Sequence, residues 1–335
     1  MDLSYILEWA IKALVLILIL TGGFAYTTYY ERRLLARMQV RIGPNRAGPF
    51  GLLIPIADAI KLIFKEQLIP ANADKIVFFM APIITVIPAL IVLGVVPFGG
   101  TVELFGRSIN LYIADINVAV LYILSVTSIS VYGITLAGWS SNNKYATLGG
   151  LRATSQMMSY ELSLGLSYMG AILLAGSMSM LDIVNAQKAM PFIVYQPVSF
   201  VIYLLASLAE INRAPFDMPE AEQELTAGYH TEYSGMKFAL FFMAEYIKLI
   251  AIATIGASLF LGGFRGPLVD TYPLLGPLYL FLKVFIWIGI IIWIRATLPR
   301  IRYDRLMMLE WKIVFPLSLA NVLVTAIVLV LVGGR

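Results

Sequence analysis

The chain has 335 residues, of which 60% are apolar and 13% charged, against about 45–50% and about 25% in ordinary soluble domains. That balance excludes a soluble enzyme, because so much apolar surface needs a solvent other than water. The absence of cysteine and the single histidine, His230, exclude thiolate-ligated iron–sulfur clusters, disulfides, Cys-type zinc sites and bis-histidine haem on this polypeptide. The sequence also has no GxGxxG, GxxxxGK[ST], HExxH or GxSxG signature, so it carries no footing for a nucleotide-binding or hydrolytic domain.

In chain order, apolar runs predict eight membrane spans, near 9–29, 76–96, 116–138, 160–176, 192–209, 238–261, 274–294 and 313–332. The first is expected to be a span rather than a cleaved leader, because Asp2 and Glu8 stand where a signal peptide carries a basic start. Of the 24 basic residues, eight fall in the loop between spans 1 and 2, two in loop 3–4, two in loop 5–6 and five in loop 7–8. Only four lie on the opposite side, so the odd-numbered loops are expected to face the cytoplasm, with both termini outside. A net charge of +4 therefore reports topology, and no nucleic-acid partner is expected. No repeat or linker interrupts the chain, which reads as one all-α polytopic membrane domain over 1–335. Its inward loops lie near 30–75, 139–159, 210–237 and 295–312.

The first inward loop reads ERRLLARMQVRIGPNRAGPFGLLIPIADAIKLIFKE. Its GPNRAGP core marks a rigid turn, since proline fixes φ and glycine or asparagine tolerates positive φ. The next apolar stretch, 52–64, is too short to cross a bilayer. Wound as a helix, it puts Ile56, Ile60 and Ile63 on one face and Asp58, Lys61 and Lys65 on the other, which predicts an interfacial helix. Two readings fit: a basic loop that fixes topology and touches lipid phosphates, or a wall of a binding site in which Asp58 and Lys61 form an ion pair beside an apolar surface. A lipid-like ligand with a polar head suits the second.

Loop 5–6 is acidic on the side where positive charge accumulates. It carries Glu210, Asp217, Glu220, Glu222, Glu224 and Glu232 against Arg213 and Lys237. Asp217 and Glu220 have the spacing of a helix-capping pair with Pro219 in the first turn, which leaves Glu222, Glu224 and Glu232 unexplained. Glu161 falls at the start of the fourth span, and Glu245 sits one turn before Lys248 in the sixth. Acids inside spans face a protein interior or a water-filled cavity and mark ion or proton paths; the plainer alternative is a Glu245–Lys248 pair that only holds helices together.

Four long blocks carry a family resemblance: ERRLLARMQVRIGPNRAGPFGLL with PIADAIKLIFKE, GWSSNNKYATLGGLRATSQMMSYE, LAEINRAPFDMPEAEQELTAGYHTEYSGMKFALFFMAEY, and RATLPRIRYDRLMMLEWK. Together they resemble the H-type membrane subunit of proton-pumping NADH:quinone oxidoreductase, respiratory complex I, over nearly the whole chain. One departure is Ile54, where the family often has glutamine before the proline. The resemblance implies a subunit at the junction of the membrane and peripheral arms, with a quinone chamber opening to the lipid. It implies that Glu31, Arg32, Arg41, Asp58, Lys61 and Phe242 line or shape that chamber. It further implies that Glu161, Glu210, Asp217, Glu220, Glu222, Glu224, Glu232, Glu245 and Lys248 form a proton path leading from it. FMN and iron–sulfur clusters would then belong to partner subunits, with quinone as substrate and no redox cofactor on this chain. A bacterial plasma membrane is the expected location. Two alternatives remain at this point: a membrane subunit of an energy-converting hydrogenase or ferredoxin-linked complex, and a stand-alone ion or proton antiporter.

Overall fold

The computed structural model describes residues 3–104, 107–217 and 227–333. Its helices, in chain order, are α1 (Leu3–Met38), α2 (Ile54–Phe64), α3 (Lys75–Ile91), α4 (Ala119–Ser140), α5 (Lys144–Ala175), α6 (Met180–Ala186), α7 (Phe192–Tyr195), α8 (Pro197–Glu210), α9 (Gly235–Phe260), α10 (Leu275–Thr297), α11 (Tyr303–Leu309) and α12 (Phe315–Gly333). A π-helical turn, Glu310–Val314, joins α11 to α12 without a break. The expected all-α fold gains one small addition between α3 and α4. Strands β1 (Thr101–Leu104) and β2 (Arg107–Asn110) pair antiparallel, with Thr101 opposite Asn110.

Among the described residues, seven helical segments are long and apolar enough to cross a membrane, and each overlaps one expected span. The difference lies in the fifth, 192–209, which breaks at Gln196. There φ is −129° and ψ is 54°, because Pro197 crowds the preceding residue out of the helical region. Beyond the break, α8 has 14 residues and a length of about 21 Å, short of the roughly 30 Å apolar thickness of a bilayer. Boundaries also shift inward. The helix expected at 9–29 runs on to Met38, and the one expected at 160–176 starts at Lys144, so Arg32, Arg33, Arg37 and Arg152 ride on helices rather than in loops.

α9 is the central helix: 61% of its apolar window is buried, against 11% for α1 and 17% for the Tyr303–Val332 segment. Its small residues Ala251, Ala253, Gly256 and Ala257 admit neighbours closely. Tyr203 of α8 and Trp287 of α10 pack edge to face against one another over this stretch. The principal core gathers around α9 from α3, α4, α5, α8 and α10. A second cluster joins Phe78 on α3, Val131 and Ile134 on α4 and Met157 on α5 to Tyr229, Tyr233 and Phe241. It fastens the end of the acidic loop to the bundle, with Phe78 and Tyr233 stacked at 4.1 Å. Burial pushes the Tyr233 hydroxyl up to about 12, which keeps it a neutral partner for the Phe78 carbonyl at 3.3 Å.

Candidate functional site

Three helices build the inner side of the site, and local sequence holds each in place. The GPNRAGPFG turn folds back on itself. Gly51 has φ of 82°, and a Cβ there would lie 2.5 Å from the Pro44 carbonyl. The turn is tied to α1 by Tyr29, whose hydroxyl donates to the Phe50 carbonyl at 2.6 Å, and by Arg33, which donates to the same oxygen at 3.0 Å. α2 then starts with Pro55 in its first turn, where a missing N–H costs nothing. Its exit is stitched to the head of α9. The Leu68 amide donates to Ser234 Oγ at 3.0 Å, and Gly235, at φ 58°, leaves 3.1 Å between an added Cβ and the Lys65 carbonyl. A larger residue at 235 would lever α2 off α9.

Between α1, α2 and α9 lies a cavity of about 440 Å³, mostly apolar, a size usual for small-molecule sites. Phe24, Phe238, Phe242 and Met243 form its floor, and Arg32, Asp58 and Lys61 stand at its polar rim. Arg32 donates to Asp58 Oδ2 at 2.7 Å. The ion pair of α2 therefore reaches across to α1 rather than along the helix to Lys61, because the α1 guanidinium is close enough to offer a charge-assisted hydrogen bond. The orientation of α2 also differs from a simple amphipathic reading. Ile56 and Ile60, about half exposed, stand outside the cavity, whereas Asp58 and Lys61 line it together with Ile63, so α2 presents a mixed face to it. Arg41 lies apart from this cavity, exposed, with Nε donating to Gln39 at 2.7 Å.

Behind the floor is an ionic cluster. Arg213, 3% exposed, donates through one nitrogen to Glu31 Oε2 at 2.6 Å and through Nε to Glu245 Oε1 at 2.6 Å. Arg295 on α10 donates to the other Glu31 oxygen. Burial opposes the charge on Arg213, but Glu245 and Glu31 outweigh it and push its pKa up, so the guanidinium is a fixed cation. Tyr246 partitions the cluster from the cavity. Arg213 lies 4.4 Å from its ring centre, while Phe24 and Phe242, both on the cavity floor, pack against its ring at 5.9 and 6.4 Å.

From Glu245 the polar groups continue inward. Lys248 Nζ is 3.7 Å from Glu210 Oε1, and both side chains are buried. The alternative Glu245–Lys248 pairing gives way to these two cross-helix partners. Two cavities of about 20 Å³ flank the Lys248–Glu210 pair, one reaching Glu245 and Asn212, the other reaching Thr127, Ser130 and Tyr168. Each is large enough for about one water molecule. Next to the second cavity, Ser128 on α4 donates to Glu161 on α5. Glu232 stands at the edge of the bundle, accepting from Asn143 Nδ2 at 2.7 Å while Asn143 Oδ1 caps α5. Asp217 accepts from Arg300 at 2.9 Å. Glu220, Glu222 and Glu224, with the capping geometry expected of Glu220, lie outside the described residues.

Sequence reasoning counted Arg213 and Arg295 only as topology markers and passed over Tyr246 and Gln156. Yet Gln156, fully buried, donates to the Ala209 carbonyl at 2.9 Å and the Phe216 carbonyl at 2.7 Å, pinning the turn that presents Arg213. The signal for Arg213 was its place among carboxylates; for Gln156, a polar residue amid a span offered none that was distinct from helix glue.

Among the described residues no group of carboxylates and histidine is arranged to hold a metal ion. What the geometry defines is a helical membrane protein with a largely apolar cavity backed by a cluster of buried and half-buried ionic side chains. A sequence model of the NADH dehydrogenase family matches residues 11–326. The H subunit of the NADH-quinone oxidoreductase of Thermomicrobium roseum is 50% identical over 98% of each chain. That of Protochlamydia amoebophila is 51% identical over 90% of this chain and 91% of its own. The second H subunit of the enzyme in Geobacter sulfurreducens is 50% identical over 96% and 95%. The chain belongs to this family, the H subunits of NADH-quinone oxidoreductase.

Proposed function

We propose that the chain is a membrane subunit of a bacterial NADH-quinone oxidoreductase, complex I, that admits quinone from the lipid and converts its reduction into proton movement. The observation that carries this reading is the adjacency of a largely apolar cavity to a run of mostly buried ionisable groups behind the ring of Tyr246. The isoprenoid tail of a quinone suits the floor of phenylalanines and methionines. The Arg32–Asp58 pair and Lys61 offer donors and charge at the rim for a polar head in transit. Glu31 and Arg41 support the chamber from outside its lining: Glu31 by holding Arg213, and Arg41 in the loop that faces peripheral partners.

Reduction of a quinone takes up two protons for two electrons, so the groups around it feel a change of charge. Glu31, Glu245, Glu210, Glu232, Asp217, Glu161 and Lys248, continued by Glu220, Glu222 and Glu224, form the path that answers it. The cluster of Arg213, Arg295 and Lys248 against Glu31, Glu245 and Glu210 is balanced, and moving one proton along it leaves an unpaired charge in low dielectric, which couples the next step to the last. FMN and iron–sulfur clusters are supplied by peripheral-arm subunits, which explains a redox-complex chain without cysteine.

A photoreactive quinone with a long tail, illuminated on the intact complex in lipid, should label α1, α2 or α9 near Phe24, Met236 or Phe242. Labelling confined to other subunits would remove the chamber from this chain. A nickel–iron partner copurifying in place of an NADH-oxidising module would transfer the chain to the hydrogenase-type complexes.

A further inference from the structure

Glu310 packs against Ser163 of α5 and, among the described residues, shares no ion pair with the cluster described above. It is 1% exposed, in the π-helical turn where the Phe315 amide reaches back to the Glu310 carbonyl. π-turns inside helices are frequent at functional positions because the extra residue displaces a side chain from the regular ladder. Here the displaced side chain is a carboxyl driven into the α5–α12 interface. Ser163, fully buried on α5, donates to its Oε1, while Oε2 is buried with no hydrogen-bond partner. Among the described residues no cation forms an ion pair with it. Tyr160 on α5 is a titratable neighbour, and its hydroxyl donates to the Leu306 carbonyl at 3.1 Å. Asp304 on α11 pairs with Arg302, and Lys312 points outward. Ionising Glu310 in place would strand a negative charge on one hydroxyl donor in an apolar surround, which burial disfavours. Helix glue needs a serine or an asparagine there, not an acid.

Below Glu310 the same face of α12 carries Ser318, Asn321 and Thr325 at helical spacing. Asn321 donates to Ser199 Oγ at 2.7 Å and to Gln196 Oε1 at 3.1 Å, and Gln196 Nε2 donates to Thr325 at 2.7 Å. Gln196 is the residue at the break between α7 and α8. Gly170 on α5 makes room for this group, since a Cβ there would lie 2.7 Å from Ser199 Oγ. Polar side chains thus follow α12 for 15 residues, about 22 Å, along a seam of α5, α8 and α12 that shares no residue with the Glu31–Arg213–Glu245 cluster.

We propose that Glu310 is a second proton-binding site of this subunit, at the inner end of the α5–α8–α12 polar seam and separate from the glutamate path. It takes a proton from the inner aqueous side and returns it as the α5–α12 contact loosens and closes. The ligand is the proton itself, and the seam supplies the hydroxyls and amides that accommodate it.

The test rests on the chain working within the intact complex, so it uses that complex reconstituted in liposomes, with Glu310→Gln. This substitution keeps the volume and the acceptor for Ser163 but cannot exchange a proton. The expected result is a severalfold fall in quinone-driven acidification, a changed alkaline limb of the rate profile, and loss of one protonated-carboxyl band from the redox infrared difference spectrum. Glu310→Asp should restore part of all three, and Asn321→Leu should lower acidification while leaving the band. Wild-type acidification, profile and spectrum in the Gln variant would reduce Glu310 to a structural hydrogen bond and overturn the proposal. Glu245→Gln serves as the control: impairment there beside a normal Glu310→Gln sinks only this inference, whereas normal behaviour in both sinks the reading of the subunit as well.

Discussion

Two ionic clusters sit along α9 and handle charge in opposite ways. At the middle of the helix, Arg213, Glu31, Lys248 and Glu210 are buried and Glu245 half-buried, and they are drawn from several elements distant in sequence. Past its C-terminal end, Lys188 and Arg265 bind Asp270 at 2.8 Å each, and Lys188 and Asp270 are more than half exposed. The outer set is solvated and redundant, the usual condition of surface ion pairs that contribute little. The inner set is shielded from water and its members share partners, Arg213 serving Glu31 and Glu245 and Glu31 taking Arg213 and Arg295, so each loss is felt by its neighbours. The difference is one of solvent: water screens the outer charges, whereas the inner ones depend on one another.

The contrast is broken hardest at Arg213. Arg213→Met should take a buried cationic partner from both Glu245 and Glu31, at a cost of about 3–5 kcal/mol, and native electrophoresis should show little assembled complex; assembly at wild-type level would mean that the cluster is not structural. Next come Glu210→Gln and Glu245→Gln, which keep shape. Each should assemble and yet lower quinone-coupled proton transport by about tenfold or more, read as acidification of liposomes per NADH oxidised. At the cavity rim, Asp58→Asn removes a charge-assisted hydrogen bond of about 1 kcal/mol, which predicts a roughly fivefold rise in the KM for a short-chain quinone; an unchanged KM would dissociate the rim from the substrate.

The outer end should respond in stability alone. Lys283 donates to the carbonyls of Leu261, Gly263 and Arg265 at 2.7–2.8 Å, closing the C-terminus of α9. Lys283→Met should lower the melting temperature of the purified complex with normal turnover. The smallest effect belongs to Asp270. The hydrogen bond and charge of Lys188, with Arg265 behind them, hold its carboxyl below the ordinary carboxylate range. Its contribution is therefore present above the unfolded value of about 3.9 and vanishes as pH falls through the folded one. Asp270→Asn should cost a little melting temperature at neutral pH and nothing in acid. A difference that grows on acidification would refute the pairing.

The spans were legible because a bilayer enforces them: about 20 apolar residues must run unbroken to cross it, and composition alone reveals such runs. Seven of the eight expected spans have helices of crossing length. The fifth does not, because the effect of Pro197 on Gln196 is local backbone chemistry that a hydropathy average conceals. The polar side of α2 was readable from helical period, but its direction was not. Periodicity says which residues share a face and is silent on whether that face meets lipid or protein.

By itself, then, the sequence determined the solvent and most of the crossing helices, since both depend on residue type and order along the chain. The pairing of the acids was decided only by tertiary structure. Glu31 and Arg213 are 182 positions apart and meet at 2.6 Å, and Arg32 takes Asp58 away from Lys61. Glu310 is the sharpest case: one glutamate near the head of the last span looks like an interfacial residue in sequence, and a single π-turn buries it. Ion pairing depends on distance in space and on exclusion of water, and neither quantity exists until the helices have packed.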